Sequence, residues 1–381
     1  FVATLAIPAL TPFGYAQEST QIPPLASVGP FDFNAALFAR SAYSDNVFLA
    51  ASSARTTDLV TSISPSMKLR AGEEKFSRMA IDYTPTFQFF KDTAGQDVVN
   101  HDVKFKVEKT FSRLTVGLGQ TFSRVKDADL GFNISNGTRE EQSNYNTDLT
   151  TQYNLSDKTS LEVNGRFKVK DLANRFLISS KEFINDDWFN YKYSEKVTTS
   201  AGFTFGYVDL ENGIPHQTYE QGLVRVTYDA FEKLYFRASA GFEVRQIGGG
   251  ASDRVLPVFS LGATYKPRQG TEFVLDGWRQ ETYAVLQVGP HQNLTSTGFS
   301  AQIRQQLGSK FVLYAGGGVS NSSYHPGSRE TDQYSLRYGL DFKPTDRLTI
   351  GLFHNYRENN DSMGSGSFRE NQFGIQASAL F

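Results

Sequence analysis

Five histidines, His101, His216, His291, His325 and His354, are the only imidazoles in the chain, and none stands in an HExxH or other paired spacing. Cysteine is absent, which excludes disulfides, thiolate metal sites and thiol nucleophiles. A Walker loop, a dinucleotide fingerprint and a serine elbow are missing too. The acidic pairs Glu140-Glu141 and Asp186-Asp187 read as solvated loop charges, and Asn359-Asn360-Asp361 lacks the further ligands of a calcium site. The sequence therefore predicts no catalytic residues, no cofactor and no metal centre.

The charges that carry a pattern are spaced two apart between apolar residues. Bases of this kind are Arg40, Lys68, Arg70, Lys104, Lys106, Arg166, Lys168, Lys170, Arg225, Arg237, Arg245, Arg304 and Arg337. Acids of the same parity are Asp82, Glu108, Glu162, Glu243 and Asp341. With Lys192, Arg357, Asp102, Asp148, Asp229, Asp276 and Glu370 added, the inward-parity set holds fifteen bases against ten acids. Rings of Arg and Lys in a pore select for anions. Cross-strand pairing of the same residues would instead leave little net field.

Period two is the period of a β-strand, whose successive side chains point to opposite faces. Leu161, Val163, Gly165, Phe167 and Val169 alternate with Glu162, Asn164, Arg166, Lys168 and Lys170. Tyr334, Leu336, Tyr338, Leu340 and Phe342 alternate with Gln333, Ser335, Arg337, Gly339 and Asp341. This texture runs from Phe31 to Phe381, with no comparable 3.6-residue repeat. Short turns such as Leu307-Gly308-Ser309-Lys310 and Lys343-Pro344-Thr345-Asp346-Arg347 alternate with long loops rich in Asn, Ser, Gly and Asp. The pattern predicts about eighteen strands, or sixteen if the weakest fail. Segment 187–194 is short, a bulge is expected near Tyr219 and Gln221, and segment 271–284 sets Arg279 and Glu281 in phase with Phe273 and Leu275.

Such strands run ten to fifteen residues, enough to cross a bilayer at a tilt. Hydrocarbon satisfies no backbone polar group, so a sheet there must close on itself, lipid meeting the apolar parity and water the polar one. The expected fold is all-β: a single transmembrane antiparallel up-and-down barrel with short periplasmic turns and long extracellular loops. Loops 126–142 and 172–187 are the candidates for folding inward. Aromatics near strand ends, among them Tyr43, Phe89, Phe111, Tyr153, Tyr193, Tyr207 and Tyr265, would form interfacial girdles. With 38 Lys plus Arg against 40 Asp plus Glu, net charge −2, the chain lacks the basic excess of a nucleic-acid binder.

Residues 1–16 read as a secretory signal lacking its front, with cleavage after Ala16, and 17–32 as a periplasmic linker rich in proline. The barrel is expected over 33–381. Its last strand, with Phe373, Ile375, Ala377, Ala379 and Phe381 on one face, resembles the C-terminal signal by which the barrel assembly machinery recognises outer-membrane proteins.

Tyr43-Ser44-Asp45-Asn46-Val47-Phe48, followed by Asp58-Leu59-Val60-Thr61-Ser62-Ile63-Ser64-Pro65, resembles the opening hairpin of the β-barrel porin 2 family. That resemblance implies a Gram-negative outer-membrane barrel in contact with lipid and lipopolysaccharide, and some members are similar to proteins of exopolysaccharide operons. The expected function is passive diffusion of small polar solutes with a mild anion preference. The alternative is a barrel for polysaccharide export or docking, for which Phe38, Phe90, Tyr235, Tyr314 and Phe353 have inward parity.

Overall fold

The computed structural model describes residues 24–73, 77–131, 135, 137–230, 233–249, 252–285, 293–364 and 366–381. The expected signal, 1–16, and the linker as far as residue 23 lie outside the described residues.

A stub, β1 (Ala26–Val28), precedes β2 (Phe31–Ser44), β3 (Asp58–Glu73), β4 (Ser77–Phe90), β5 (Val98–Thr110), β6 (Leu114–Asp127) and β7 (Glu140–Asn154). Then come β8 (Thr159–Leu172), β9 (Ser180–Lys192), β10 (Val197–Leu210), β11 (Gln217–Ala230), β12 (Leu234–Ile247) and β13 (Arg254–Arg268). The last six are β14 (Thr271–Tyr283), β15 (Asn293–Leu307), β16 (Phe311–His325), β17 (Glu330–Thr345), β18 (Leu348–Asp361) and β19 (Phe368–Leu380). Each strand from β2 onward pairs antiparallel with the next, and β19 returns to β2 with Ile375 opposite Ser41 and Leu380 opposite Ala36. The result is a closed barrel of 18 strands, β2 to β19, with no α-helix among the described residues.

The outer surface is the apolar parity. Val224, Phe242, Leu352 and Ile375 are each about 60% exposed, as Leu or Ile would be in water only at high cost. Tyr43, Phe89, Phe111, Tyr153, Tyr193, Tyr207 and Tyr265 are exposed at strand ends, where girdles belong. The inner parity holds Arg225, Glu243, Arg245 and Arg337, all nearly buried. A greasy exterior around a charged interior makes the chain a transmembrane barrel of the outer-membrane kind.

Ser44, Asp45 and Asn46 hold the closure, Ser44 Oγ donating to Glu370 Oε1 at 2.7 Å. Asp45 Oδ1 accepts from the Asn371 N–H at 2.7 Å, and Oδ2 accepts from Asn371 Nδ2 at 2.9 Å. Asn46 Nδ2 donates to the carbonyls of Ala50 (2.8 Å) and Arg369 (3.0 Å), while its Oδ1 accepts from the Ala50 N–H. Asp58 accepts from the backbone N–H groups of Leu59, Asp92 and Thr93, pinning the next loop. On the opposite rim, β1 runs along Phe31–Phe33, and the Phe381 N–H donates to Ala35 C=O at 2.9 Å. The stub thus takes over the edge of β2 where β19 ends.

Two local expectations differ. Strand β9 starts at Ser180 rather than at 187, because Asn185 and Asp187 put polar groups on the outer parity (Asn185 Nδ2 donates to Asp187 Oδ1 at 3.1 Å) and break the alternation. No bulge interrupts β11: its register is continuous against β10 and β12, and Tyr219 and Gln221 belong to the lumen face. Register shifts occur instead at Tyr265/Arg268 and Phe342/Thr345, beside Pro267 and Pro344, which have no N–H to give.

Leu352→Arg places a charge in the apolar band between Leu340 and Ile375. Unfolding in urea from phospholipid vesicles is expected to show a loss of about 2–4 kcal/mol.

Candidate functional site

The lumen holds a cavity of 1590 Å³ toward the long loops and one of 660 Å³ toward the short turns. The expected lining residues Arg40, Arg166, Lys168, Lys170, Arg225, Arg237, Glu243 and Arg245 face the larger space. Lys106, Glu108 and Glu162 face the smaller. Arg166, Asp186, Arg225, Tyr235 and Arg237 border both, so the two spaces adjoin along one arc of the wall, from β8 to β12. Lys68, Arg70, Lys104, Asp82, Arg304, Arg337 and Asp341 line neither space. Of these, Lys68 pairs with Asp82 at 3.1 Å and Lys104 with Asp102 at 3.1 Å, while Arg70 stands opposite Asp32 and Arg304 opposite Tyr314. Asp341 accepts from Gln376 Nε2 at 3.1 Å. Arg337 sits over the Tyr314 ring at 5.6 Å and Arg40 over Phe353 at 4.2 Å.

Most lumen charges have partners. Arg166 pairs with Asp148 (2.9 Å), Lys168 with Glu182 (3.2 Å), Arg245 with Glu243 (2.7 Å), and Glu108 with both Arg78 (3.0 Å) and Lys106 (3.6 Å). Arg225 is the hub. It spans from β11 to Glu162 on β8 at 3.2 Å, donates to Asn190 Oδ1 (2.7 Å) and Ser200 Oγ (3.3 Å), and stacks over Trp188 at 4.0 Å. Asp186 in turn accepts from Trp188 Nε1 at 2.9 Å and Thr204 Oγ1 at 2.8 Å. A field-neutralised wall fits these geometries better than an array of free cations.

The mouth is narrowed from two sides. From the β6–β7 connection, Asp129 reaches Arg357 on β18 at 3.6 Å, and Leu130, fully buried, accepts from Lys170 Nζ at 2.6 Å. Burial pushes the Asp129 carboxyl above the usual carboxylate range despite the Arg357 guanidinium nearby. Arg139 crosses back to Gln88 Oε1 (2.6 Å) and stacks on Phe90 at 4.5 Å.

The other side is the long-loop end of the β14–β15 hairpin. Pairing of β13 with β14 stops at Phe259 opposite Arg279, whereas β13 continues against β12 to Arg254 and β14 continues against β15 to Tyr283. Beyond Arg279 the hairpin tucks inside the wall. Its outer-parity Glu281 pairs with inward Arg254 at 2.9 Å and accepts from Asn293 and Thr295, each at 3.1 Å, and Asn293 accepts from Gln217 Nε2 at 2.8 Å. Tyr283 bonds Ser180 and packs beside Ile178, Val208 and Leu210, and the Ile178 N–H donates to Val285 C=O at 2.9 Å. This explains the out-of-phase Glu281: past residue 279 the outer parity faces protein. Trp188, Glu182, Tyr219, Arg254 and Tyr283 escape a reading by parity alone, and the phase conflict in 271–284 was the only signal pointing to the last two.

A closed 18-stranded barrel with charged lumen, short turns and inward long loops has the architecture of outer-membrane channels. Solved structures agree on the fold. OccK2 (OpdF) of Pseudomonas aeruginosa superposes with TM-score 0.50 at 10% identity, covering 92% of this chain and 98% of that one. OpdO of the same organism gives 0.50 at 12%, covering 92% and 98%. The apoprotein form of the FrpB iron transporter of Neisseria meningitidis (F5-1 variant) gives 0.51 at 9%, with 86% of this chain covered; the chain spans only 62% of FrpB. No family model matches the chain, and no curated protein is similar to it in sequence.

Arg225→Met leaves Glu162 with Asn190 but no charge partner and removes the stack on Trp188. Equilibrium unfolding followed by tryptophan fluorescence is expected to show a loss of about 3 kcal/mol.

Proposed function

We propose that the protein resides in the outer membrane of a Gram-negative bacterium and conducts small polar solutes passively. The observation that carries this reading is that the two lumen spaces adjoin along the arc of Arg166, Asp186, Arg225, Tyr235 and Arg237. Barrels of this strand number are wide enough for a water-filled passage. The fold of the Occ structures supports the reading, and substrate class does not follow from it. Because Asp148, Glu162, Glu182, Glu243 and Glu108 offset neighbouring bases, the preference for anions is mild. Tyr235, 41% exposed within the lumen, supports a second reading, in which a sugar ring of an exported or docked polysaccharide stacks there.

Liposomes carrying the purified barrel are expected to swell in simple sugars; sealed liposomes would favour the second reading. In planar bilayers the Glu108→Gln, Glu162→Gln double variant is expected to raise anion over cation permeability about two-fold or more, since it frees Arg78, Lys106 and Arg225. Clear cation selectivity of the unmodified channel at moderate salt would refute the anion preference.

A further inference from the structure

The tucked end of β14–β15 has a second place to go. Among the described residues the edge of β13 from Arg254 to Val258 is paired only with β12, and the segment from Gln280 to Tyr283, which leaves it, is still a strand. Continuing the existing register would set Val258 opposite Gln280, Pro257 opposite Glu281, Leu256 opposite Thr282 and Val255 opposite Tyr283. The free edge and the displaced strand therefore match in length and phase.

The outer face of the displaced segment is suited to either seat. Arg279, Glu281, Thr295 and Thr297 all lie on it, and Asn321 and Ser323 continue the same polar row on β16. Within the wall this row would stand in the headgroup and water layer, where charge is tolerated. Tucked, the same row meets Arg254, Arg245 and Gln217, with the Arg245 guanidinium donating to Glu281 C=O at 3.2 Å.

What favours the tucked seat is also on β13. Pro257 has no N–H, so the re-formed ladder lacks a donor beside Glu281, and the Pro257 carbonyl is already taken by Arg279 Nε at 3.2 Å. Proline on such an edge discourages strand addition. An apolar latch completes the tucked seat, with Val285 against Leu130, Leu172 and Leu177.

We propose that the hairpin flanks Gln280–Val285 and Asn293–Thr297 form a two-position gate: tucked behind β11–β13 they narrow the mouth, and zipped onto the free edge of β13 they widen it. The gating rests on the channel reading above, whereas the two seats rest on register alone.

The absence of native cysteine makes the test clean. Leu177→Cys with Val285→Cys captures the tucked seat, where the Ile178 N–H bonds Val285 C=O. Leu256→Cys with Thr282→Cys captures the wall seat, because Thr282 now faces the cavity, away from the wall, and meets Leu256 only after zipping. Both pairs are oxidised in the folded barrel, with folding followed by heat-modifiable gel mobility and single-cysteine variants as controls. Both are expected to cross-link. The first should lower single-channel conductance and the second raise it, by about two-fold or more, reversibly with reductant. Failure of the 256/282 pair to form where the 177/285 pair does would overturn the second seat. Cross-linking of both with unchanged conductance in a conducting barrel would overturn the gate; cross-linking in a barrel that never conducts would overturn the channel reading and leave the two seats standing. Should either double variant not fold, Pro257→Val supplies the missing donor and is expected to raise conductance, and no change would count against the gate.

Discussion

Hydrocarbon offers no hydrogen bonds, and the rest of the structure depends on that. Every N–H and C=O at membrane depth must find a partner on a neighbouring strand, so the sheet closes, and closing requires that the first strand meet the last. The ladder between β2 and β19 is short, from Ala36 to Ser44, and the opening-hairpin residues compensate for it. Asp45 and Asn46 clasp Asn371 and Arg369 across the closure above the ladder. The Tyr43–Phe48 stretch thus has a mechanical role at the closure, while the family resemblance read from it is matched by no family model.

Much of the barrel is legible in the sequence because two solvents impose two parities. Where both parities meet their expected solvent, as in Leu161–Lys170 or Tyr334–Phe342, strand boundaries follow to within a few residues. The misreadings share one cause. In β9, Asp187 and Asn185 pair with each other on the outer face, and in β14, Glu281 finds Arg254. Parity reports solvent, and it fails wherever a side chain exchanges solvent for protein. Tyr219 is the converse: its ring looked out of phase and proved to line the lumen under Arg245, at 4.5 Å.

The functional interior was less legible for the same physical reason. Parity says that Arg225 and Glu162 point inward, but not that they meet across three strands with Trp188 beneath. Such contacts depend on curvature, which brings residues on β8 and β11 together inside a cylinder. The composition of the inner wall, with bases exceeding acids, suggested a stronger field than the pairing leaves. In the channel proposed above, low effective charge and a narrowed mouth would sort solutes more by shape than by sign.

The stub β1 and the end of β19 lie one after the other along the same edge of β2, so Leu25 and Phe381 stand on a single rim. Probes attached at Leu25 and at Leu380 would report on one compartment. Displaying a foreign epitope on the other side calls for insertion into a connection such as Ser362–Gly364, between β18 and β19, which leaves the strand-to-strand circuit uncut.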